Sequence, residues 1–228
     1  MVDLTPLGER LAAVDDRIAD AARAASRDLS SITRIVITKF HPASLVRELY
    51  ALGVRDVGEN RHQEAQAKAA ELADLDLRWN FVGQLQSKKA RQARSYCQSV
   101  HSVDRDSLIT ALSSEDEVNA IDAFVQVNLT DDHGRGGVIA ADLEAFADRV
   151  AGAPGLRLRG IMGVAPLGED PRPAFAALRA LSERVQQQHP DAAALSMGMS
   201  GDFVEAIAEG ATHLRIGTAI TGIRPDHG

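Results

Sequence analysis

Only one cysteine, Cys97, occurs in the 228 residues, so no disulfide can close within the chain. Aromatic residues amount to 4 %, and a core must be filled mostly by alanine, leucine, valine and isoleucine. No apolar run approaches the roughly 20 residues that span a bilayer. The opening segment, MVDLTPLGERLAAVDDRIAD, is too acidic and too interrupted for a secretory signal. There is no excess of positive charge either: 25 basic against 32 acidic side chains leave a net charge of −7. That argues against nucleic acid or an anionic membrane as a partner, though not against a small local anion pocket. A cytoplasmic location is the expectation. Lysine is scarce as well, with Lys39, Lys68, Lys88 and Lys89 the only four, so lysine-based covalent chemistry has four candidates.

What is present is a regular rhythm. Leu7, Leu11, Val14 and Ile18 recur at helical spacing, so residues 5–27 read as a helix. A β-then-α alternation begins at residue 34. RIVITK (34–39) is a β-branched strand, and HPASLVRELYALG after it is a helix bracketed by Pro42 and Gly53. Further strands read at 54–60, 77–83, 98–103, 122–129, 156–165, 193–198 and 212–217, each followed by a helical stretch, the last one abbreviated. Asp104 is placed to cap the helix DRDSLITALSSE. Eight such units predict an α/β architecture, a closed (β/α)8 TIM-like barrel, with an open doubly wound sheet as the alternative. No linker or low-complexity tract divides the chain. Residues 1–228 read as one barrel domain, with residues 1–28 forming a helix packed outside it.

Active groups of such barrels sit at the C-terminal ends of the strands. Lys39 ends the first strand, where partial desolvation would favour a neutral amine able to attack an aldehyde. The other reading is a lysine snorkelling at a strand end. Lys68, Lys88 and Lys89 fall on polar helical segments and read as solvated. From the end of the seventh strand into its helix runs Ser196-Met197-Gly198-Met199-Ser200-Gly201-Asp202, whose glycines and free N–H groups suit an anion, although Ser200 also suits an ordinary helix cap. Arg215-Ile216-Gly217-Thr218 supplies a cation, a glycine and a hydroxyl where the eighth strand ends. Loops after strands seven and eight are where barrels often bind phosphate, and strand eight neighbours strand one. A phosphate pocket beside a reactive lysine describes a site for a phosphorylated aldehyde, pyridoxal 5′-phosphate.

The segments ITKFHP, VRDVGENRHQEAQAK, WNFVGQLQSKKAR, RGIMGVAP and LSMGMSGDFVEAIAEGATHLRIGTAITG resemble the YggS/PROSC family, the pyridoxal phosphate homeostasis proteins, over about residues 30–223. The resemblance implies a barrel similar to the N-terminal domain of alanine racemase, a Schiff base at Lys39, and phosphate contacts from Ser200, Gly217 and Thr218. It also implies Arg215 facing the pyridine nitrogen and Asn60 beside the cofactor; Met199 completes the expected cofactor-binding set. The chain departs from the family pattern at Phe40-His41, where a threonine and a lysine are usual, and at Asn80 and Gln84, where histidines are usual.

Bound pyridoxal phosphate needs a positioned base for carbanion chemistry. Alanine racemases use a tyrosine from a further β-domain. Here Tyr50 and Tyr96 read as helix residues away from the strand ends, and the few residues after Gly222 leave no room for such a domain. His41 reads as the start of a helix and His101 as a structural hydrogen-bonding group. The expectation is a monomeric carrier without a catalytic base, holding the cofactor for pyridoxal-phosphate-dependent apo-enzymes. A racemase-like enzyme and a cofactor-free Schiff-base aldolase are the alternatives. HGRGG (133–137) lacks a phosphate-loop pattern and reads as a barrel loop. Without CxxC or HExxH no metal site is expected. Lys88, Lys89, Arg91 and Arg94 read as a solvated basic helix face.

Overall fold

The computed structural model describes residues 5–130 and 136–222; His133, Gly134 and Arg135 of the HGRGG loop lie outside them. Parallel strands β1 (Thr33–Ile37), β2 (Asp56–Glu59), β3 (Arg78–Phe81), β4 (Cys97–Val103), β5 (Ile121–Gln126), β6 (Leu156–Met162), β7 (Ala194–Ser196) and β8 (His213–Ile216) close into a barrel in chain order. The closing seam pairs Thr33 with His213 through Val36 with Ile216. This is the expected (β/α)8 barrel, and the open sheet is set aside. Strand residues are buried on both faces, as parallel strands covered by helices must be.

The covering helices are α2 (Ala43–Ala51), α3 (His62–Glu71), α4 (Ser87–Arg94), α5 (Asp106–Leu112), α6 (Leu143–Ala151), α7 (Arg172–Gln186), α8 (Phe203–Ala208) and the single turn α9 (Thr218–Thr221). Four fully buried phenylalanines, Phe81, Phe124, Phe175 and Phe203, supply the large rings of an otherwise aliphatic core. Asp104 does not cap α5. It pairs instead with Arg105 at 2.6 Å, and Arg105 occupies the cap position without capping the helix through its side chain. Arg94 is not a solvated cation either: its guanidinium donates to the carbonyls of Leu112, Gly155, Asp116 and Asn119 and ties the loops around α4 together.

Ahead of the barrel, α1 (Pro6–Ala24) starts at Pro6, with the Thr5 hydroxyl accepting from Gly8 N at 3.2 Å. Its stripe of Leu7, Leu11, Val14 and Ile18 is buried, and it packs outside the barrel against α8 and α9. Polar ties fix that docking. Arg10 Nε donates to Ile220 O at 2.7 Å, and Arg27 donates to Ile207 O and Ala211 O. The N-terminal helix therefore braces the two short helices that follow β7 and β8.

One close approach inside the barrel carries a prediction. Gly160 sits in β6 at φ 153° beside β7, and a Cβ there would be driven into the carbonyl oxygen of Ala194. The obstacle is backbone, so no rotamer change relieves it. Gly160→Ala is expected to cost more than ~4 kcal/mol or to prevent folding. A urea midpoint within error of the parent chain would refute this.

Candidate functional site

β1 ends at Ile37, two residues before the position expected. The chain turns through Thr38–His41, with His41 N donating to Thr38 O at 3.1 Å and Phe40 in the left-handed region at φ 67°. Lys39 therefore stands on a turn at the barrel mouth and is exposed, not partly desolvated as position alone suggested. Its Nζ lies 6.0 Å from the centroid of the Phe40 ring, and Arg61 Cζ approaches the same ring at 4.7 Å. Asn60 follows directly on β2, and its Oδ1 is buried without a hydrogen-bond partner. His41 precedes α2 rather than starting it, and is buried.

Lys68 corrects a second expectation. It lies on α3, but it is 7 % exposed rather than solvated. Its Nζ donates to Glu59 Oε1 at 2.6 Å and to Thr38 O at 2.8 Å, and the Thr38 hydroxyl donates to the same Glu59 oxygen at 2.7 Å. Burial pushes the Glu59 carboxyl above the usual range, while Lys68 and Thr38 pull it back. Glu59 Oε2 is left buried and unpartnered. This triad holds the carbonyl immediately before Lys39, and so fixes the turn that presents the amine. A signal for it existed in the sequence: Lys68 falls at the i+3 position from Ala65 and four before Leu72, on the inward face of its helix.

Across the seam, the loop after β7 passes Gly198 at φ 91°, where a Cβ would come 2.6 Å from that of Ala206. Only glycine lets the loop lie this close to α8. Ser200 does not cap α8. Asp202 holds the cap position and accepts from Met199 N at 2.5 Å, while the Ser200 hydroxyl accepts from Ala219 N at 3.3 Å and so joins the two loops. Among the described residues, the backbone N–H groups of Ser200, Gly201 and Thr218 have no acceptor, and the space beside Gly201 Cα is open. Free N–H donors on adjoining loops fit a phosphate. Gly217 packs beside Ile37, with its Cβ direction 3.5 Å from the Ile37 Cβ, so the cradle adjoins the turn bearing Lys39.

Arg215 points into the barrel and is 6 % exposed. It donates to Ser196 Oγ at 2.7 Å and to Gly163 O at 2.9 Å. Burial lowers its pKa to about 10, which still leaves it charged at neutral pH. Neither tyrosine reaches this mouth. Tyr50 stacks on Arg55, the residue before β2, and Tyr96 lies just before β4 with its hydroxyl on His62 Nδ1 at 3.1 Å. The residues missed in the sequence are Glu59 and Thr38, neither of which stands out by type alone, while Ser196, read as part of the anion loop, ends β7 and accepts from Arg215.

Residues 11–225 match the family "Alanine racemase, N-terminal domain". The pyridoxal phosphate homeostasis protein of Pseudomonas aeruginosa is 41 % identical over 227 residues, covering 99 % of this chain and 98 % of that one. The chain belongs to the pyridoxal phosphate homeostasis protein family. The Escherichia coli member is 35 % identical, covering 97 % of this chain and 98 % of its own. Another family member, PipY of Synechococcus elongatus, solved with PLP bound, superimposes with a TM-score of 0.80 at 39 % identity, over 95 % of this chain and 100 % of that one. Outside the family, alanine racemase of Corynebacterium glutamicum shares the fold at a TM-score of 0.68 and 18 % identity, with this chain covering 62 % of it. Among the described residues no helix is long and apolar enough to cross a membrane, and no cluster suits a metal ion.

Proposed function

We propose that this chain holds pyridoxal 5′-phosphate reversibly on Lys39 and passes it to apo-enzymes, acting as a cytoplasmic carrier and buffer rather than a dedicated catalyst. The observation that carries the reading is the adjacency of the Lys39 turn to the open N–H cradle of the loops after β7 and β8. When bound, the cofactor supplies an aldehyde that a lysine amine can take up covalently. Lys39 is the attachment point, and Phe40 and the Glu59–Lys68–Thr38 triad set its turn. Ser200, Gly201 and Thr218 offer their N–H groups to the phosphate, with Met199 and Gly217 shaping the loops. Asn60 keeps a free carbonyl beside the mouth. Arg215 can donate but not accept, so beside the ring nitrogen of the bound cofactor it would leave that nitrogen without a proton and would weaken electron withdrawal. No tyrosine stands at the mouth to move a proton from carbon, and the exposure of Lys39 lets an incoming amine reach the attachment point.

The purified protein should gain a visible absorbance band on adding pyridoxal phosphate, and borohydride should fix the cofactor mass on the Lys39 peptide. Labelling of another lysine overturns the site. Exchange of the Cα proton of alanine or serine for deuterium at about 1 per second or faster overturns the carrier reading in favour of a racemase-like enzyme.

A further inference from the structure

The barrel interior holds a chain of polar groups that the carrier role leaves unused. Alternation along β4 puts Ser99 and His101 on the inner face, and β8 does the same for His213 and Arg215. His101 is fully buried, its ring stacked on Phe124 at 4.1 Å between centroids. Its Nδ1 lies 2.8 Å from Ser196 Oγ and its Nε2 2.9 Å from Ser99 Oγ. Ser99 Oγ in turn donates to Asn80 Oδ1 at 2.6 Å, and Asn80 Nδ2 donates to Val57 O and Arg78 O.

The direction of every proton in this chain follows from its two ends. Two carbonyls fix the Asn80 amide, so Oδ1 is the acceptor and the Ser99 proton is spent on it. Ser99 must then accept from His101, which puts the imidazole proton on Nε2 and leaves Nδ1 bare. At the other end Arg215, which can only donate, gives a proton to Ser196 Oγ. The Ser196 hydroxyl must pass its own proton on, and His101 Nδ1 is the acceptor it meets. Both ends demand the same neutral tautomer. Burial, together with the neighbouring His213 and Arg215, favours the uncharged ring.

We propose that Ser196, His101, Ser99 and Asn80 form a one-way hydrogen-bond relay through the barrel, with His101 and Ser196 as positioning residues that hold the Arg215 guanidinium in place for the pyridine nitrogen the cofactor would present. The relay itself stands on the protein alone, whereas its purpose rests on the reading of Arg215 given above. Asn80, one of the departures from the family pattern, is the terminus that orients the rest.

The two parts are tested separately. Nitrogen NMR of the histidine-labelled, cofactor-free chain should show His101 with a protonated Nε2 and a bare Nδ1, unchanged from about pH 8 down to about pH 5. A protonated Nδ1 or a charged ring overturns the relay without any variant having to fold. For the positioning role, Ser196→Ala should weaken cofactor binding about tenfold, the size of one hydrogen bond to a charged group, and shift the visible band. His101→Phe keeps the stacking but neither hydrogen bond, and should do the same. His101→Gln, with an acceptor and a donor, should restore most of the affinity. Unchanged binding and spectrum in both Ser196→Ala and His101→Phe overturn the positioning role. If Arg215→Lys also leaves the spectrum untouched, the assignment of Arg215 to the ring nitrogen is what has failed, and the NMR result still judges the relay.

Discussion

Lys39→Ala is expected to abolish covalent uptake of the cofactor while leaving the fold intact. Lys39 stands exposed on the turn after β1, makes no ion pair among the described residues, and meets the Phe40 ring only at 6.0 Å. Surface substitutions of that kind change stability by about 0.5 kcal/mol or less, so the urea midpoint of the variant should match the parent. The backbone N–H groups of Ser200, Gly201 and Thr218, proposed to hold the phosphate, are not touched by the substitution, and some non-covalent binding should survive. Borohydride reduction followed by peptide mass mapping distinguishes the outcomes. The parent carries the added mass on the peptide with Lys39, and the variant carries none. Full incorporation in Lys39→Ala, at Lys68 or elsewhere, would remove the basis of the carrier reading.

Lys68→Met should be the most destabilising change near the site. Methionine fills a similar volume but leaves Glu59 buried with only the Thr38 hydroxyl, and removing one partner of a buried ion pair costs about 3–5 kcal/mol. For a chain of this length that corresponds to a fall of roughly 10 °C in Tm. The pH dependence has a definite sign. The Glu59 carboxyl already sits above its ordinary range because of burial, and Lys68 is what pulls it down. Without Lys68 it rises further, and a raised carboxyl favours the folded state at low pH and loses that advantage as pH climbs through the folded value. The stability gap between parent and variant should therefore be widest at neutral and alkaline pH and narrow on acidification. A gap that widens towards acid would contradict the account. Cofactor uptake by the variant should fall as well, because Lys68 holds the Thr38 carbonyl next to Lys39.

The barrel was legible because its signal is repetitive: eight alternations of a short strand run with a helical stretch, the last abbreviated, leave few other closures. The loop glycines of the proposed anion cradle were legible, although the role of Ser200 was not. As a cap its hydroxyl would have faced α8, and the structure turns it to the loop after β8. The buried triad was hidden by residue type. A lysine on a polar helix looks solvated until its spacing from Ala65 and Leu72 is weighed, and its partner Glu59 lies in a strand too short to show alternation. The relay was hidden for a different reason. Serines and an asparagine are common on surfaces, and only their inner-face register across β3, β4 and β7 brings them into one line. Asn80 looked like a lost histidine, and in the folded chain it closes the line.

The docking of α1 also bears on how the protein is made. Arg10 reaches a carbonyl 210 residues further along the chain, and β1 completes its pairing only with β8. At elongation rates of about 5–20 residues per second, neither contact exists until the segment 213–221 has left the ribosome. A nascent chain therefore carries the stripe of Leu7, Leu11, Val14 and Ile18 without its α8 and α9 partners through most of its synthesis.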